Sequence, residues 1–196
     1  MTARAGDPAA VQVRLIAGLR ERTPGACAEL YDRFAPGIFR FALTRLGDVG
    51  SAEDTVIETM ADAVRDVRRF NPQRSSLAPW LFGIARRRVH LEIRRLRRRK
   101  SAPESAQVSV ESVLDVTDGR DMAASAVDRL DARRKVAELR GLLSDREMAV
   151  LVLSCVEELS AREIGQVIGR SERAVHSILH RAKTKARERL LGHERA

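Results

Sequence analysis

Apolar residues recur at helical spacing along most of the chain, and strand-like alternation is absent. Between Leu30 and Leu46 they fall every three to five residues, which places them on one face of a helix. Similar runs cover residues 11–19, 56–67 and 80–93, and Asn71-Pro72 interrupts them. The pattern therefore predicts an all-α fold.

Local signals predict where several helices begin. Thr23-Pro24 is typical of a helix start, and Ser51 with Asp54 resembles a capping box. The long basic helix is predicted to begin at Ser75 or Ser76. Its expected apolar side is made by Trp80, Leu81, Ile84, Val89, Leu91 and Ile93.

A change of composition predicts two small helical domains joined by a flexible linker. The first domain is expected over residues 1–100 and the second over 128–196. Residues 101–127 are rich in Ser, Asp, Thr and Gly and are acidic, as linkers often are. The segment is either a simple tether or a mimic of nucleic acid that enters a basic channel.

The second domain carries the most specific local pattern. Ser144 to Glu147 and Ser160 to Glu163 are both S-x-x-E capping boxes, which mark helix starts. After the second box, Gly165 permits a close crossing and Gly169 permits a tight turn. This spacing predicts a helix-turn-helix.

The outward face of the second helix of this motif is basic and polar. The residues that we expect to contact DNA there are Ser171, Arg173, Ala174, His176, Ser177, His180 and Arg181. A helical hairpin with a solvated basic face is the alternative. His176 and His180 have a metal-compatible spacing, but no third ligand is evident, so no metal site is predicted.

The charge of the chain is unevenly distributed. The 196 residues carry a formal net charge of +9, and residues 65–100 alone hold 13 basic and 2 acidic groups. Residues 47–63, by contrast, contain five acidic residues and no basic one. A basic segment beside an acidic one predicts one anionic and one cationic partner.

Other features exclude several protein classes. No apolar run approaches the ~18 residues that span a bilayer, and no signal peptide is evident, so we expect a cytoplasmic protein without membrane insertion. Cys27 and Cys155 cannot form a disulfide framework. We expect them to be buried apolar side chains, with redox sensing as the alternative.

Three motifs resemble one known family. Residues 52–59, AEDTVIET, are similar to its A-E-D-x-V-Q-E-T signature, and residues 80–86, WLFGIAR, resemble its W-L-x-x-I-A-R motif. Leu142, Arg146, Glu147 and residues 158–164 resemble its C-terminal region. The chain thus resembles an RNA polymerase sigma factor of the extracytoplasmic-function group. It departs from the family pattern at Ile57, Val64, Arg87 and Leu91.

The resemblance implies partners and roles. Core RNA polymerase, promoter DNA and an anti-sigma factor are the implied partners. The polymerase clamp would contact the acidic residues Asp48, Glu53, Asp54, Glu58 and Asp62. The first domain would capture the −10 element as single strand through Asn71, Arg74, Ser75, Ser76, Trp80, Arg86, Arg87, Arg94 and Arg95. The second domain would read the −35 element as duplex with the residues given above.

Some alternatives stay open from sequence alone. Trp80 is either a wall of the base pocket or a core residue.

The remaining expectations concern phosphate contacts, catalysis and the competing functions. Arg88 is expected to bind phosphate together with the other arginines of this segment. We find no catalytic motif and expect neither an enzyme nor a cofactor. The competing functions are a stand-alone helix-turn-helix regulator, which leaves the acidic segment unused, and a helical RNA-binding protein, which leaves the recognition helix unused.

Overall fold

Helices account for every regular element in the part of the chain that the computed structural model describes, residues 8–100 and 138–192. The prediction of an all-α fold is confirmed. The first block, which we call the N-terminal unit, contains α1 (Pro8–Arg20), α2 (Pro24–Leu46), α3 (Val49–Asp66), a 3₁₀ turn (Val67–Arg69) and α4 (Leu77–Lys100).

The second block, residues 138–192, forms the C-terminal unit. It begins with helical residues 138–142 and continues with α5 (Asp145–Cys155), α6 (Ala161–Ile168) and α7 (Glu172–Gly192). The predicted linker, 101–127, lies outside the described residues, as do Leu130 and Val136, with which the second domain was expected to begin. The exact domain boundaries therefore stay a prediction.

The core of the N-terminal unit forms where α2 packs against α1, α3 and α4. Ile38, Phe41 and Leu81 are completely buried there. Phe41 meets Phe82 edge-on, with ring centroids 5.8 Å apart, a favourable aromatic geometry. Because these residues come from separate helices, their packing fixes the angle at which α4 leaves the core.

Several local predictions need correction. The N-cap of α3 is Asp48, whose side chain accepts a hydrogen bond from the Ser51 N–H at 2.8 Å, so the predicted box of Ser51 and Asp54 is wrong. Thr23 is the N-cap residue of α2, but its hydroxyl donates to the Gly18 carbonyl instead of capping. Leu91 is half-exposed, and Cys155 is exposed where a buried side chain was expected.

The two units are packed against each other. Helix α2 contacts α5, and α4 contacts α6. No helix within residues 8–100 or 138–192 is both long and apolar enough to cross a membrane.

Candidate nucleic-acid interface

The turn between α6 and α7 is built around two glycines. Gly169 has φ +67°, a left-handed conformation that glycine adopts without steric cost. A Cβ on Gly165 would lie 2.6 Å from the carbonyl oxygen of Arg170, so only glycine fits this turn without a shift of the backbone. The Arg170 N–H donates to the Gly165 carbonyl at 2.9 Å and closes the turn. The predicted helix-turn-helix geometry is therefore present.

Helix α7 is held by its apolar side and presents its polar side to solvent. Val175 and Ile178 are buried against the rest of the unit. The Ser171 hydroxyl accepts a hydrogen bond from the Ala174 N–H at 3.3 Å. Of the seven predicted −35 residues, Ala174 is half-buried; the exposed ones are Ser171, Arg173, His176, Ser177, His180 and Arg181.

One acidic group borders this face. The Glu172 carboxylate lies 3.9 Å from His176 Nε2, and both side chains are largely exposed. A carboxylate in the first turn of a helix interacts favourably with the helix dipole. A surface pair between a carboxylate and a histidine contributes little to stability. His176 nevertheless stays accessible from outside.

Both predicted capping boxes are present, and the glutamate of each box also accepts a hydrogen bond from a residue outside the box. Glu147 accepts hydrogen bonds from Ser144 and, at 2.9 Å, from the Lys185 ammonium group of α7. The Ser144 N–H and Lys185 lower the pKa of Glu147 to about 2. This carboxylate therefore joins the start of α5 to the middle of α7.

The second box joins the two units. One carboxylate oxygen of Glu163, Oε2, accepts from the Ser160 N–H and hydroxyl, at 3.0 and 2.8 Å. The other, Oε1, accepts from the Ser76 hydroxyl at 2.9 Å. Burial raises the pKa of Glu163, but these hydrogen bonds together outweigh it and the pKa is lowered.

The predicted −10 loop connects the 3₁₀ turn to α4. The Asn71 side-chain oxygen accepts from the Gln73 N–H at 2.9 Å, and the Arg74 N–H donates to the Asn71 carbonyl at 3.1 Å. Asn71 and Arg74 are exposed, whereas Ser75 and Ser76 are half-buried. The loop is thus a compact turn with Asn71 and Arg74 at the surface and with Ser75 and Ser76 partly covered.

Trp80 packs against the core and also lines a cavity at the surface. Its ring lies 5.0 Å from the Phe70 ring between centroids, and it packs against the core. It also lines a cavity of about 460 Å³ together with Arg74, Ser75, Pro79, Gly83, Ile84, Arg87 and Gln166. One wall of this cavity, Gln166, comes from the C-terminal unit.

The arginines of α4 divide into free and engaged groups. Arg94 is exposed, and Arg95 is paired with Glu92 at 3.2 Å. Arg87 is exposed and lies 3.5 Å from Asp62, while the Nε of Arg86 is buried and has no hydrogen-bond partner within residues 8–100 and 138–192. Of these four, Arg94 is the one that is exposed and has no ion pair among the described residues.

Asp62 is not part of an exposed acidic surface, and this corrects its predicted role. The residue is 1% exposed. Arg88 holds its carboxylate in a bidentate pair, with Nε to Oδ2 at 2.6 Å and Nη2 to Oδ1 at 2.5 Å, and Arg65 binds it as well. Arg88, and to a smaller degree Arg65, lower the pKa of Asp62. Arg88 is therefore a structural partner of α3 and not a free phosphate ligand.

The remaining acidic residues of this segment face outward to different degrees. Glu53 and Asp54 are exposed, Glu58 is exposed and bound to Arg88 at 3.1 Å, and Asp48 caps α3. Ile57 lies among them and is 62% exposed. Sequence reasoning marked Ile57 only as a departure from the family pattern, and its exposure shows that it belongs to this surface.

Comparisons with known proteins agree with the two-part architecture. Residues 30–99 match the family Sigma-70 region 2, and residues 125–185 match Sigma-70 region 4. The ECF RNA polymerase sigma factor RpoE of Cereibacter sphaeroides is 35% identical over 70% of this chain and 80% of its own length. This chain belongs to the extracytoplasmic-function (ECF) group of RNA polymerase sigma factors. Within the described residues, the region 2 match covers 30–99 of the N-terminal unit and the region 4 match covers 138–185 of the C-terminal unit.

Two further similarities extend this picture. The ECF sigma factor BldN of Streptomyces coelicolor is 28% identical over 80% of this chain, which spans 57% of the length of BldN. In a solved structure, the sigma factor RpoE of Bartonella quintana is in complex with the anti-sigma factor NepR. It shares the fold with a TM-score of 0.67 and 20% identity, over 83% of this chain and 95% of that one.

Family membership decides between the predicted functions. An ECF sigma factor binds core RNA polymerase and directs promoter-specific transcription initiation. The match to region 2 as well as region 4 rules against a stand-alone helix-turn-helix regulator. The same two matches give no support to the alternative that the chain is a helical RNA-binding protein.

Proposed function

We propose that this sigma factor captures the −10 element as single strand on the 71–76 loop and reads the −35 element as duplex with α7. The observation that carries the proposal is the exposed polar face of α7, which is the second helix of the helix-turn-helix inside the region 4 match. Donors on such a face can reach base edges in the major groove. The duplex contacts would come from Arg173, His176, Ser177, His180 and Arg181.

The single-strand site is argued from the loop and the helix that follows it. An unstacked base needs hydrogen-bonding groups and an aromatic or apolar wall, because its stacking energy must be replaced. The cavity beside Trp80 offers such a wall, with Arg74 and Ser75 at its rim. Arg94 and Arg95 would hold phosphates, which adds affinity and salt dependence without sequence information.

Polymerase docking is assigned to the outer face of α3. Glu53, Asp54 and Glu58 supply negative charge, and the exposed Ile57 supplies apolar contact between them. Exposed charges mainly orient an encounter, whereas a central apolar residue adds affinity. Asp62 is left out of this surface because it is buried. The nucleotidyl transfer is left to polymerase, and the chain is proposed to act in the cytoplasm without a cofactor.

An anti-sigma factor is proposed as the controlling partner. The similarity to a sigma factor whose structure was solved with the anti-sigma factor NepR supports this. Purification of the tagged chain from its native host, followed by identification of bound proteins, tests it. Part of the recovered chain will be bound to polymerase subunits and part will not. The proposal fails if the part without polymerase carries no other protein in stoichiometric amount.

Promoter selection is tested with core bacterial RNA polymerase, the purified chain and a promoter library, with transcription start sites mapped. We expect starts that appear only when the chain is added and that share two upstream elements. The matched control is the same chain with Glu53→Lys and Asp54→Lys, which should lose initiation while DNA binding stays intact. Absence of stimulated initiation on every promoter would refute the proposal.

A further inference from the structure

Helix α1 lies outside residues 30–99, the part of the N-terminal unit that matches region 2. It is nevertheless built into the core, because Leu15, Ile16 and Leu19 are at most 4% exposed. The helix contacts α2 and the 3₁₀ turn that precedes the 71–76 loop. Its polar side chains are therefore carried by a helix whose position is fixed.

The connection between α1 and α2 is equally well defined. The Thr23 N–H donates a hydrogen bond to the Gly18 carbonyl at 3.0 Å. A Cβ on Gly18 would lie 2.7 Å from the Ala26 Cβ, so glycine permits the two helices to approach this closely. The C-terminal end of α1, where Arg20 lies, is thus held in one place against α2.

One polar contact of α1 lies directly after the loop. Gln12 Oε1 accepts a hydrogen bond from the Leu77 N–H at 3.1 Å. Leu77 is the first residue of α4 and is 1% exposed. The first N–H groups of a helix have no partner within the helix, and a buried one without any partner is destabilising. Gln12 thus caps α4 and fixes where this helix begins.

The other polar contact of α1 lies directly before the loop. Arg20 Nη2 donates to the Phe70 carbonyl at 3.0 Å. A charged donor makes such a hydrogen bond stronger than a neutral donor would. Phe70 is 3% exposed, and its ring packs against Trp80 with the centroids 5.0 Å apart. Arg20 therefore holds the residue that supports the aromatic wall of the cavity.

We propose that α1 is a positioning element for strand capture: Gln12 and Arg20 fix the two residues that flank the 71–76 loop, and base preference at the cavity beside Trp80 depends on both. The inference rests on the proposed role of this loop. Neither Gln12 nor Arg20 is among the described residues that line the cavity, so both act through the backbone of residues 70 and 77. Recognition of a base needs contacting groups held within about 0.5 Å of the right geometry, and supporting residues provide this.

A positioning role produces a specific kind of defect. Without one of the flanking contacts, the loop adopts more than one arrangement, and only a fraction of these arrangements fits a base. A loop that is correctly arranged one time in three binds its preferred base about threefold more weakly. Phosphate contacts carry no sequence information, so binding of an arbitrary strand should change much less.

The contacts are tested first without DNA, by hydrogen exchange at single amides measured by NMR. Gln12→Ala removes the acceptor and should speed exchange of the Leu77 amide about fivefold or more. Gln12→Glu keeps an acceptor oxygen on a side chain of the same length and should restore slow exchange. The amide of Leu81, which is completely buried one turn further along α4, is the internal reference. Its exchange should change little, which verifies that the unit is folded.

Arg20 is tested with a matched pair of variants. Arg20→Met removes the donor and keeps an unbranched stem, whereas Arg14→Met makes the same substitution at an exposed arginine of the same helix. Trp80, the single tryptophan, reports on the loop, because its ring packs against Phe70. Loss of the Phe70 anchor in Arg20→Met should increase quenching of Trp80 by acrylamide. Arg14→Met should leave the quenching unchanged.

Base preference is then measured with the chain assembled on core polymerase. A pool of DNA single strands of random sequence is bound at fixed salt concentration, and the bound strands are sequenced, with core polymerase alone as the background. Gln12→Ala and Arg20→Met should each reduce the enrichment of the preferred bases about threefold, with less than about a twofold change in binding of the whole pool. Gln12→Glu and Arg14→Met should keep the original enrichment.

Failure of the positioning role and failure of strand capture give different results. Enrichment that survives in both Gln12→Ala and Arg20→Met, or that falls equally in Arg14→Met, would overturn the inference alone. Rapid exchange of the Leu77 amide in the unchanged chain would overturn it as well. An unchanged chain that enriches no base would refute strand capture by the 71–76 loop, and the role of α1 with it.

Discussion

Arg88 of α4 donates two hydrogen bonds, of 2.6 and 2.5 Å, to the buried carboxylate of Asp62 in α3. The pair joins two helices of region 2 at the point where the basic helix leaves the core. It also distinguishes two consecutive arginines, because Arg87 is exposed and lies 3.5 Å from the same carboxylate, whereas Arg88 is half-buried and holds it with two hydrogen bonds. Charge in this helix therefore contributes to the fold as well as to the proposed nucleic-acid surface.

Removal of the Asp62 charge should destabilise the N-terminal unit. Asp62→Asn leaves Arg88 without its principal partner, and the loss of one member of a buried ion pair costs about 3 kcal/mol. Urea denaturation followed by circular dichroism measures the change. Glu58→Gln is the control: it removes the exposed partner of the same arginine and should cost less than about 1 kcal/mol. Equal losses for the two variants would contradict the structural role of Asp62.

The exposed Arg94 should act on DNA binding and not on folding. Arg94→Ala is expected to leave the unfolding free energy within about 0.5 kcal/mol and to weaken binding of an unpaired −10 strand. The slope of log affinity against log salt should fall by about 0.7 for one lost phosphate contact. Arg14→Ala, an exposed arginine of α1, is the control and should keep the original slope. An unchanged slope in Arg94→Ala would remove Arg94 from the phosphate-binding set.

The recognition helix should discriminate between duplex sequences. Arg173→Ala and His176→Ala are each expected to lose about 1–3 kcal/mol on the promoter duplex and much less on a scrambled one. Competition binding at fixed salt concentration measures the difference. Arg187→Ala removes an exposed charge from the same helix farther from the turn, and any loss should be uniform across sequences. A uniform loss for Arg173→Ala would speak against base readout.

Low pH should lower the stability of the C-terminal unit, because it protonates the Glu147 carboxylate. Its pKa lies at about 2 in the folded chain, below the ordinary 4.5, so the folded state binds this proton less readily than the unfolded state. The ionised carboxylate therefore stabilises the fold fully above about pH 5, and this contribution is lost as the pH falls toward 2. Glu147→Gln should cost about 1–2 kcal/mol at neutral pH and progressively less in acid.

The measurement is thermal or urea unfolding of both chains between neutral pH and about pH 2.5. Glu188→Gln, which removes the charge of an exposed carboxyl in the same unit, is the control for the loss of one negative charge. A cost of Glu147→Gln that stays constant over the whole range would contradict the pairing with Ser144 and Lys185.

The local features of this protein were predictable because they depend on neighbouring residues. The two capping boxes need only Ser and Glu three positions apart, and the turn at Gly165 and Gly169 needs only their spacing. Exposure of the α7 face likewise follows from the 3.6-residue period. The start of α3 was predicted wrongly because Ser51 and Asp54 match the pattern of a capping box. In the structure the N-cap is Asp48, three residues before Ser51.

Tertiary structure alone decided which charges are available. Glu58 and Asp62 are four residues apart on one helix and look equivalent in sequence, yet α4 covers only Asp62. The contact of Ser76 with Glu163 joins residues 87 positions apart, and no periodicity encodes such a meeting. The sequence by itself determined the helices, the turn and the family, since these rest on short-range spacing. The packing of helices on one another, within and between the two units, determined which polar groups stay free for a partner, because burial and pairing depend on distant residues brought within hydrogen-bonding distance.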